Sequence, residues 1–169
     1  MEKYHEEGIE AVCFTGHRHI EKSDAFEIPA RLKAILTELI SKGARRFRAG
    51  GAIGFDTVAA LCVLELKESY PEIKLELILP CRDQTRSWGE RDRFVYDYIL
   101  SRASTVEYVT DAYTPWCMHE RNRRLADGSQ VCIAYLKRSE GGTAFTYSYA
   151  LKKGLEVINL AEKITEKIL

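Results

Sequence analysis

A glycine-rich segment between a predicted strand and a predicted helix constrains this chain more than any other sequence feature. The segment Arg48-Ala-Gly-Gly-Ala-Ile-Gly-Phe-Asp56 follows a β-like run at 44–49 and precedes an apolar helical run at 55–66. Gly50 and Gly51 allow a positive φ and let a ligand approach the backbone closely. Because the first amides of a helix and its dipole favour an anion, phosphate or carboxylate is the expected ligand. A tight turn without a ligand has the same pattern, and the spacing matches neither the GxxxxGKS/T pattern of Walker-type nucleoside triphosphatases nor GxGxxG.

Strands and helices alternate along the whole chain. The predicted strands cover residues 9–14, 44–49, 73–79, 105–109, 131–136 and 155–160. The predicted helices run from a capping box at Asp24 and Glu27 to Gly43, over 55–66, from Trp88 through Ile99, over 113–125, over 143–153 and, as a short charged helix, over 161–169. This alternation predicts an α/β fold with a mainly parallel sheet, helices on both faces and a single domain spanning residues 1–169.

Composition and charge argue against several classes of protein. The chain has 169 residues and a formal net charge of zero, so its composition gives no support for nucleic-acid binding. No apolar run reaches the roughly 18 residues of a membrane span, and the charged first residues contain no apolar signal core. The five cysteines are scattered and form no CxxC pair. This pattern predicts reduced, mostly buried thiols in a cytoplasmic protein that binds no metal.

Unusual polar stretches fall at one edge of the predicted sheet. In parallel α/β sheets, ligands bind at the carboxyl ends of the strands, near the point where the strand order reverses. We therefore predict a ligand pocket at this edge. Its candidate residues are Thr15, Gly16, His17, Arg18, Gly50, Gly51, Gly54, Asp56, Gln84, Trp88, Arg121, Asn122, Gly141, Gly142 and Thr143.

The chemistry of these residues suits a nucleotide-like ligand. Two loops of backbone amides, together with arginines, favour phosphate. Trp88 and Tyr113 either contact a base at the pocket or belong to the core or an interface. Asp56 either caps its own helix or accepts a sugar hydroxyl. His17 and His119 are either catalytic or plain hydrogen-bonding residues, and no cysteine or serine lies beside an evident base and orienting acid, so a covalent triad is unsupported.

Several motifs that occur together in this chain carry a family resemblance. They are Phe14-Thr-Gly-His-Arg18, Gly50-Gly-Ala-Ile-Gly-Phe-Asp56, Pro80 with Gln84 and Trp88, Tyr113, Arg121-Asn-Arg123 and Gly141-Gly-Thr143. Together they resemble the YpsA-like group of the SLOG superfamily, which also holds the DNA-processing protein DprA and the LOG phosphoribohydrolases. The resemblance covers about residues 9 to 160. It implies a Rossmann-like three-layer sandwich that binds a nucleotide, an NAD-related ligand or phosphate, and a ligand-sensing role in bacteria, sometimes tied to stress or cell division.

The LOG enzymes offer a sharper comparison, because they carry a helix motif with a catalytic arginine and a PGGxGTxxE motif with a catalytic glutamate. Met118-His-Glu-Arg121 resembles the first motif, with Arg121 at the position of the arginine. Glu140-Gly-Gly-Thr-Ala-Phe-Thr-Tyr-Ser148 resembles the second only in part. Ser148 stands at the position of the glutamate and cannot supply the carboxylate for that N-glycosidic cleavage.

The first functional hypothesis is that the chain binds a nucleotide or nucleotide-derived molecule as a ligand sensor that requires no cofactor and no membrane partner. The predicted roles are a phosphate cradle for Gly50, Gly51, Gly54, Gly141, Gly142 and Thr143, charge neutralisation for Arg18 and Arg121, hydroxyl recognition for Asp56 and Asn122, and stacking or closure for Trp88. The sequence does not decide whether the chain forms a homo-oligomer.

Two alternatives belong to other functional classes. The first is LOG-like cleavage of a nucleotide, or hydrolysis of an NAD or ADP-ribose ligand, in which Arg121 acts with a carboxylate from Asp56 or Glu90. The second is DprA-like binding of single-stranded DNA through Arg121, Arg123 and Arg124, which predicts a salt-dependent affinity. Because the net charge is zero, nucleic acid is not the expected partner.

Overall fold

Among residues 8–162, the part of the chain that the structure describes, six strands form one sheet. In this computed structural model the strands are β1 (Ala11–Gly16), β2 (Arg46–Ala49), β3 (Lys74–Cys81), β4 (Thr105–Thr110), β5 (Val131–Tyr135) and β6 (Glu156–Asn159). Their order across the sheet is β4-β3-β2-β1-β5-β6, and every pair of neighbours is parallel. The predicted α/β fold with a mainly parallel sheet is therefore confirmed.

Helices cover both faces of this sheet. They are α1 (Lys22–Ala25), α2 (Ile28–Ser41), α3 (Phe55–Ser69), α4 (Glu90–Arg102), α5 (Cys117–Ala126) and α6 (Gly142–Lys152). Because crossovers between parallel strands are right-handed, α2, α3 and α4 share one face, whereas α5 and α6 share the other. The result is the Rossmann-like three-layer sandwich. Within the described residues, no helix has the length and apolar character needed to cross a membrane.

The alternation of side chains along the strands produces two hydrophobic cores. Successive residues of a strand point to opposite faces of a sheet. Val12 and Phe14 of β1 belong to the larger core, which α2 and α3 cover. Cys13, between them, belongs to the smaller core under α5 and α6, together with Leu125 and Ala150. The apolar stripes that the helices carry therefore match the two faces of the sheet.

The strand order reverses between β1 and β5, and this reversal positions the candidate site. The chain runs from β1 to β4 toward one edge of the sheet and then crosses to β5 and β6 on the other side of β1. The two central strands are in register from Val12 with Val131 to Gly16 with Tyr135, so they end at the same level. Ligand crevices of parallel α/β sheets form beside such a reversal. The loops that follow Gly16 and Tyr135 therefore flank the expected crevice.

The predicted capping box at Asp24 and Glu27 is wrong. Asp24 lies within α1, where its carboxylate accepts a hydrogen bond from the Tyr135 hydroxyl at 2.5 Å and pairs with Lys137 Nζ at 2.6 Å. Helix α2 begins only at Ile28, and its N-cap Glu27 makes no side-chain cap bond to any residue that the structure describes. Asp24 therefore contacts Tyr135 of β5 and Lys137 instead of capping a helix. Its pair with Lys137 is charge-assisted and so is stronger than a neutral hydrogen bond.

Several other predicted helix bounds differ from the structure, and α5 begins at Cys117 rather than at residue 113. Trp88 precedes α4, which begins at Glu90, so the tryptophan lies in the turn that follows β3. Residues 161–162 form a turn, and residues 163–169 of the predicted terminal helix lie outside the described residues.

Candidate functional site

A cavity of about 640 Å³ opens at the carboxyl edge of the sheet, beside the reversal between β1 and β5. The loop after β1, the start of α3, helix α5 and the loop into α6 form its walls. Its lining includes ten of the predicted site residues, namely Thr15, Gly16, His17, Arg18, Asp56, Arg121, Asn122, Gly141, Gly142 and Thr143. Residues that lie far apart in the sequence are therefore brought together at the predicted edge, although their binding roles stay predictions.

Five predicted site residues do not line this cavity: Gly50, Gly51, Gly54, Gln84 and Trp88. Trp88 packs edge-to-face on Tyr96, with ring centroids 5.4 Å apart and an interplanar angle of 85°. Glu90, the alternative source of a catalytic carboxylate, is an exposed first residue of α4 and is also absent from the lining. Ser148 is exposed on α6 and lies outside the lining as well.

The glycines of the first loop allow close packing between neighbouring segments. Gly54 has a φ of 84°, and a Cβ at this position would clash with the carbonyl oxygen of Arg18. A Cβ on Gly16 would clash in the same way with the Phe55 ring. The loop after β1 and the glycine-rich loop before α3 therefore touch through their backbones, and the Phe55 amide donates a hydrogen bond to the His17 carbonyl at 3.2 Å. The glycine-rich loop before α3 thus packs against the loop after β1, which forms a wall of the cavity.

Asp56 reaches the cavity from the first turn of α3. Gly54 is the N-cap of that helix, and the Asp56 carboxylate instead accepts a hydrogen bond from the Ala52 amide at 3.2 Å, so the capping interpretation of Asp56 is wrong. Asp56 is 6% exposed. Burial raises its pKa to about 6, against the opposing effects of Arg121 and the Ala52 amide. The cavity therefore contains a carboxyl group that changes charge near neutral pH.

Arg121 fixes the cavity floor from α5. Its guanidinium is buried, Nε donates a hydrogen bond to Asn122 Oδ1 at 2.8 Å, and Nη1 donates one to the Gly50 carbonyl. A Cβ on Gly50 would lie 2.7 Å from Arg121 Nη1, so only glycine permits this approach. Burial lowers the pKa of Arg121, while Asp56 raises it. The side chain joins α5 to the first glycine loop and places a positive charge near Asp56.

The second glycine loop provides the open wall of the cavity. Gly141 is the N-cap of the 11-residue helix α6, with a φ of 96°, and no other group approaches the position of its missing Cβ within 4 Å. The next two residues, Gly142 and Thr143, also line the cavity. No side chain caps this terminus within residues 8–162. The first amides of α6 and its dipole are therefore available to an anion.

Three polar residues of the cavity rim are not among the residues predicted from the sequence. His19, Arg138 and Glu140 line the cavity, and both Arg18 and Arg138 are exposed there. Two of them could have been predicted from their position in the sequence, because Arg138 and Glu140 lie in the short connection between a buried strand and a glycine pair. The rim thus carries two cations and one carboxylate next to the start of α6.

His17 and His119 both line the cavity, and each also contacts a neighbouring residue. His17 Nε2 accepts a hydrogen bond from the Lys137 amide at 2.9 Å, which requires a neutral ring. Burial, and after it the charge of Arg138, lowers the pKa of His17. His119 packs edge-to-face on Phe145, with ring centroids 4.7 Å apart. His17 therefore anchors the loop that leads into α6.

The raised pKa of Asp56 predicts a pH-dependent stability. We expect Asp56→Asn to stabilise the protein relative to wild type at pH 7 and to have little effect near pH 4. A carboxyl whose folded pKa is raised contributes stability that is complete below its unfolded pKa of 3.8 and is lost as the pH rises through about 6. The gap should widen by about 2–3 kcal/mol over this range, at about 1.4 kcal/mol per pKa unit. Urea unfolding of both proteins between pH 4 and 7 measures it, and a constant gap would contradict the assignment.

The fold, the reversal of strand order and the cavity at the carboxyl edge of the sheet define a Rossmann-like protein. The chain belongs to the YpsA family, described as the YspA SLOG family, whose model matches residues 12–164. This membership confirms the resemblance that the motifs carry.

The descriptions of two similar relatives name no activity. The uncharacterized SPbeta prophage-derived protein YoqJ of Bacillus subtilis is 30% identical over 135 residues, which cover 72% of this chain and 79% of that protein. A UPF0398 protein of Bacillus pumilus is 40% identical over 118 residues, which cover 69% of this chain and 63% of that protein. The relatives therefore extend the family without naming a ligand.

Solved structures with the same fold include two DNA processing proteins. DprA from Streptococcus pneumoniae has a TM-score of 0.64 and 18% identity over 88% of this chain, which spans only 49% of that protein. DNA processing protein A from Helicobacter pylori, known for a single-stranded DNA binding mode, has a TM-score of 0.64 and 17% identity over 95% of this chain and 73% of its own. At these identities the likeness concerns the fold alone.

Proposed function

We propose that this protein binds a nucleotide or a nucleotide-derived anion in the edge cavity and acts as a ligand sensor. The observation that carries this proposal is the start of α6, where Gly141 leaves open space at the cavity wall. A phosphate there would meet the first amides of the helix, and Arg18 and Arg138 on the rim would add positive charge.

The inner part of the cavity suits the uncharged part of such a ligand. Asp56 and Asn122 provide an acceptor and an amide on the lining, and both are buried. These groups match the hydroxyls of a sugar, which both donate and accept hydrogen bonds. A cavity of about 640 Å³ also lies within the range that small-molecule sites occupy. The proposal therefore assigns the phosphate to the rim and the sugar to the floor.

Hydrolysis of the bound ligand is the second candidate function, and one observation favours it. Asp56 is a buried carboxyl group of the lining with a pKa raised to about 6, which suits a proton donor or acceptor at neutral pH. In this candidate Asp56 takes the role that neither Ser148 nor Glu90 fills, since both lie outside the lining. Arg121 would hold the substrate beside it.

A thermal-shift screen with product analysis tests the proposal. The panel contains nucleoside monophosphates, NAD, ADP-ribose, inorganic phosphate and a single-stranded oligonucleotide. A ligand present at about one hundred times its Kd adds roughly 2.7 kcal/mol of stability, which is an easily measured shift. We expect a shift with at least one nucleotide and recovery of that nucleotide intact.

Each other result of this screen points to a different function. Release of a free base or of nicotinamide from a bound ligand would support the hydrolase and contradict a pure sensor. A shift with the oligonucleotide alone, weakened by salt, would support DNA binding of the kind known for the Helicobacter pylori protein. Failure of every panel member to shift the transition would contradict the proposal.

A further inference from the structure

Helix α4 carries two exposed aromatic side chains on the side that faces away from the sheet. Phe94 is 75% exposed and Tyr98 is 44% exposed, whereas Ile99 of the same helix is buried in the core. The two aromatic residues are four positions apart, so they are neighbours on the helix surface. Exposed apolar residues that occur singly are normal on protein surfaces, but two adjacent aromatic rings form a patch. This patch lies outside the lining of the edge cavity.

The aromatic patch belongs to a row of four exposed residues that runs along α4. The row consists of Glu90, Phe94, Tyr98 and Arg102, and each residue is separated from the next by four positions. Rows of this spacing form the ridges through which helices most commonly pack against each other. Glu90 lies in the first turn and Arg102 in the last, so both charges suit the helix dipole. The dipole does not account for the two aromatic rings between them.

The two charges at the ends of the row form no ion pair within the described part of the chain. None of the ion pairs among residues 8–162 includes Glu90 or Arg102. The Arg102 guanidinium instead lies over the Tyr98 ring, with its central carbon 5.5 Å from the ring centroid. A positive charge therefore borders the aromatic patch at one end, and a negative charge borders it at the other.

The row is complementary to a second copy of itself in the antiparallel direction. Along the helix it has a negative charge, two aromatic rings and a positive charge. An antiparallel copy would therefore place Glu90 beside the partner's Arg102, and Phe94 beside the partner's Tyr98. In a two-fold symmetric contact each of these pairs occurs twice. A parallel copy would bring like charges together at both ends of the row.

We propose that two copies of this chain form a symmetric dimer through antiparallel contact of their α4 helices. The aromatic rings form the centre of the interface and the charges of Glu90 and Arg102 form its border, which is the common arrangement in protein interfaces. Because one pair of helices buries a small area, below about 1,200 Å², the dimer belongs to the weak class of complexes. No residue of α4 (Glu90–Arg102) lines the edge cavity, so this interface leaves both cavities open to ligand.

Sedimentation velocity of the full chain over a range of concentrations tests the proposal and needs no ligand. We expect a monomer–dimer equilibrium with a Kd of roughly 1–100 µM. Phe94→Glu should raise this Kd at least about tenfold, because it removes two aromatic contacts per dimer and places a charge at the centre of the interface. Phe26→Glu is the matched control, since Phe26 lies directly after α1 and is 91% exposed. Its Kd should stay within about threefold of that of the wild type.

Exchange of the two charges tests the direction of the helices. Glu90→Arg and Arg102→Glu should each raise the Kd by about tenfold, because each places like charges beside each other at both ends of the contact. The double variant restores opposite charges, so its Kd should return to within about threefold of the wild-type value. Circular dichroism verifies that each variant is folded.

Any of three results would overturn the proposal. Wild-type protein that stays monomeric at millimolar concentration would show that the row does not bind a second copy. A dimer that Phe94→Glu leaves intact would place the interface elsewhere on the chain. Failure of the folded double variant to recover association would contradict the antiparallel pairing. Because the readout is the mass of the assembly, these outcomes are independent of whether the cavity binds a nucleotide.

Discussion

Replacing Arg121 with methionine is expected to lower the free energy of unfolding by about 4 kcal/mol, within the range for removal of one partner of a buried charged contact. The guanidinium donates to the Gly50 carbonyl and to Asn122 Oδ1, and both acceptors would remain buried without it. Asp56 would also lose the positive charge that favours its ionised form. Methionine keeps much of the volume, so lost packing contributes little. Urea unfolding monitored by circular dichroism measures the change.

Arg123 provides the matched control on the same helix. Its side chain is 45% exposed and pairs with Glu120 at 3.5 Å, so Arg123→Met should cost no more than about 1 kcal/mol. Combining Arg121→Met with Asp56→Asn should restore part of the stability, because the neutral amide needs no nearby cation. Equal losses for Arg121→Met and Arg123→Met would show that the buried contacts of Arg121 contribute little to folding.

Placing an aspartate at Gly142 is expected to weaken binding of a phosphate-bearing ligand by about 100-fold, since a like charge in the phosphate position costs several kcal/mol. Gly142 is the first residue of α6, and a Cβ there would lie 3.6 Å from Asn122 Nδ2, an ordinary contact. An acidic residue in the first turn also suits the helix dipole, so folding should be preserved. Isothermal titration with the nucleotide that gives the largest thermal shift measures the affinity.

Gly142→Asn is the control for this change, because asparagine has the shape of aspartate without its charge. We expect its affinity to stay within about threefold of that of the wild type, which corresponds to about 0.7 kcal/mol. If the aspartate and asparagine variants bind the ligand equally well, the phosphate does not lie at the start of α6. Loss of binding in both variants would indicate that the added side chain itself blocks the cavity.

The layout of the fold was readable from the sequence because it depends on local patterns. Apolar runs of strand length alternate with helical stripes, and parallel strands joined by helices leave few possible topologies. The predicted strand at 131–136 and the observed β5, Val131–Tyr135, differ by one residue at one end. Wrong bounds arose where a distant contact replaced a local one, as at Asp24, which interacts with Tyr135 and Lys137.

The candidate site was predictable in its location and less so in its members. Polar residues after strands of one parallel sheet must share an edge, which is why ten of fifteen candidates line one cavity. The sequence does not say which way each residue of a loop faces. Trp88 packs on Tyr96 and does not line the cavity. Arg138, which belongs to none of the motifs, lies on the cavity rim.

The sequence by itself determined that the chain forms a parallel α/β sheet with glycine-rich turns at one edge, because propensity and periodicity act over a few residues. Only the tertiary structure decided what approaches each glycine. Arg121 packs against Gly50, the backbone of Arg18 packs against Gly54, and no group lies within 4 Å of the position that a Cβ would take at Gly141. It also decided that Asp56 is buried with a raised pKa. These outcomes depend on contacts between segments that are distant in the sequence, and local sequence patterns do not predict such contacts.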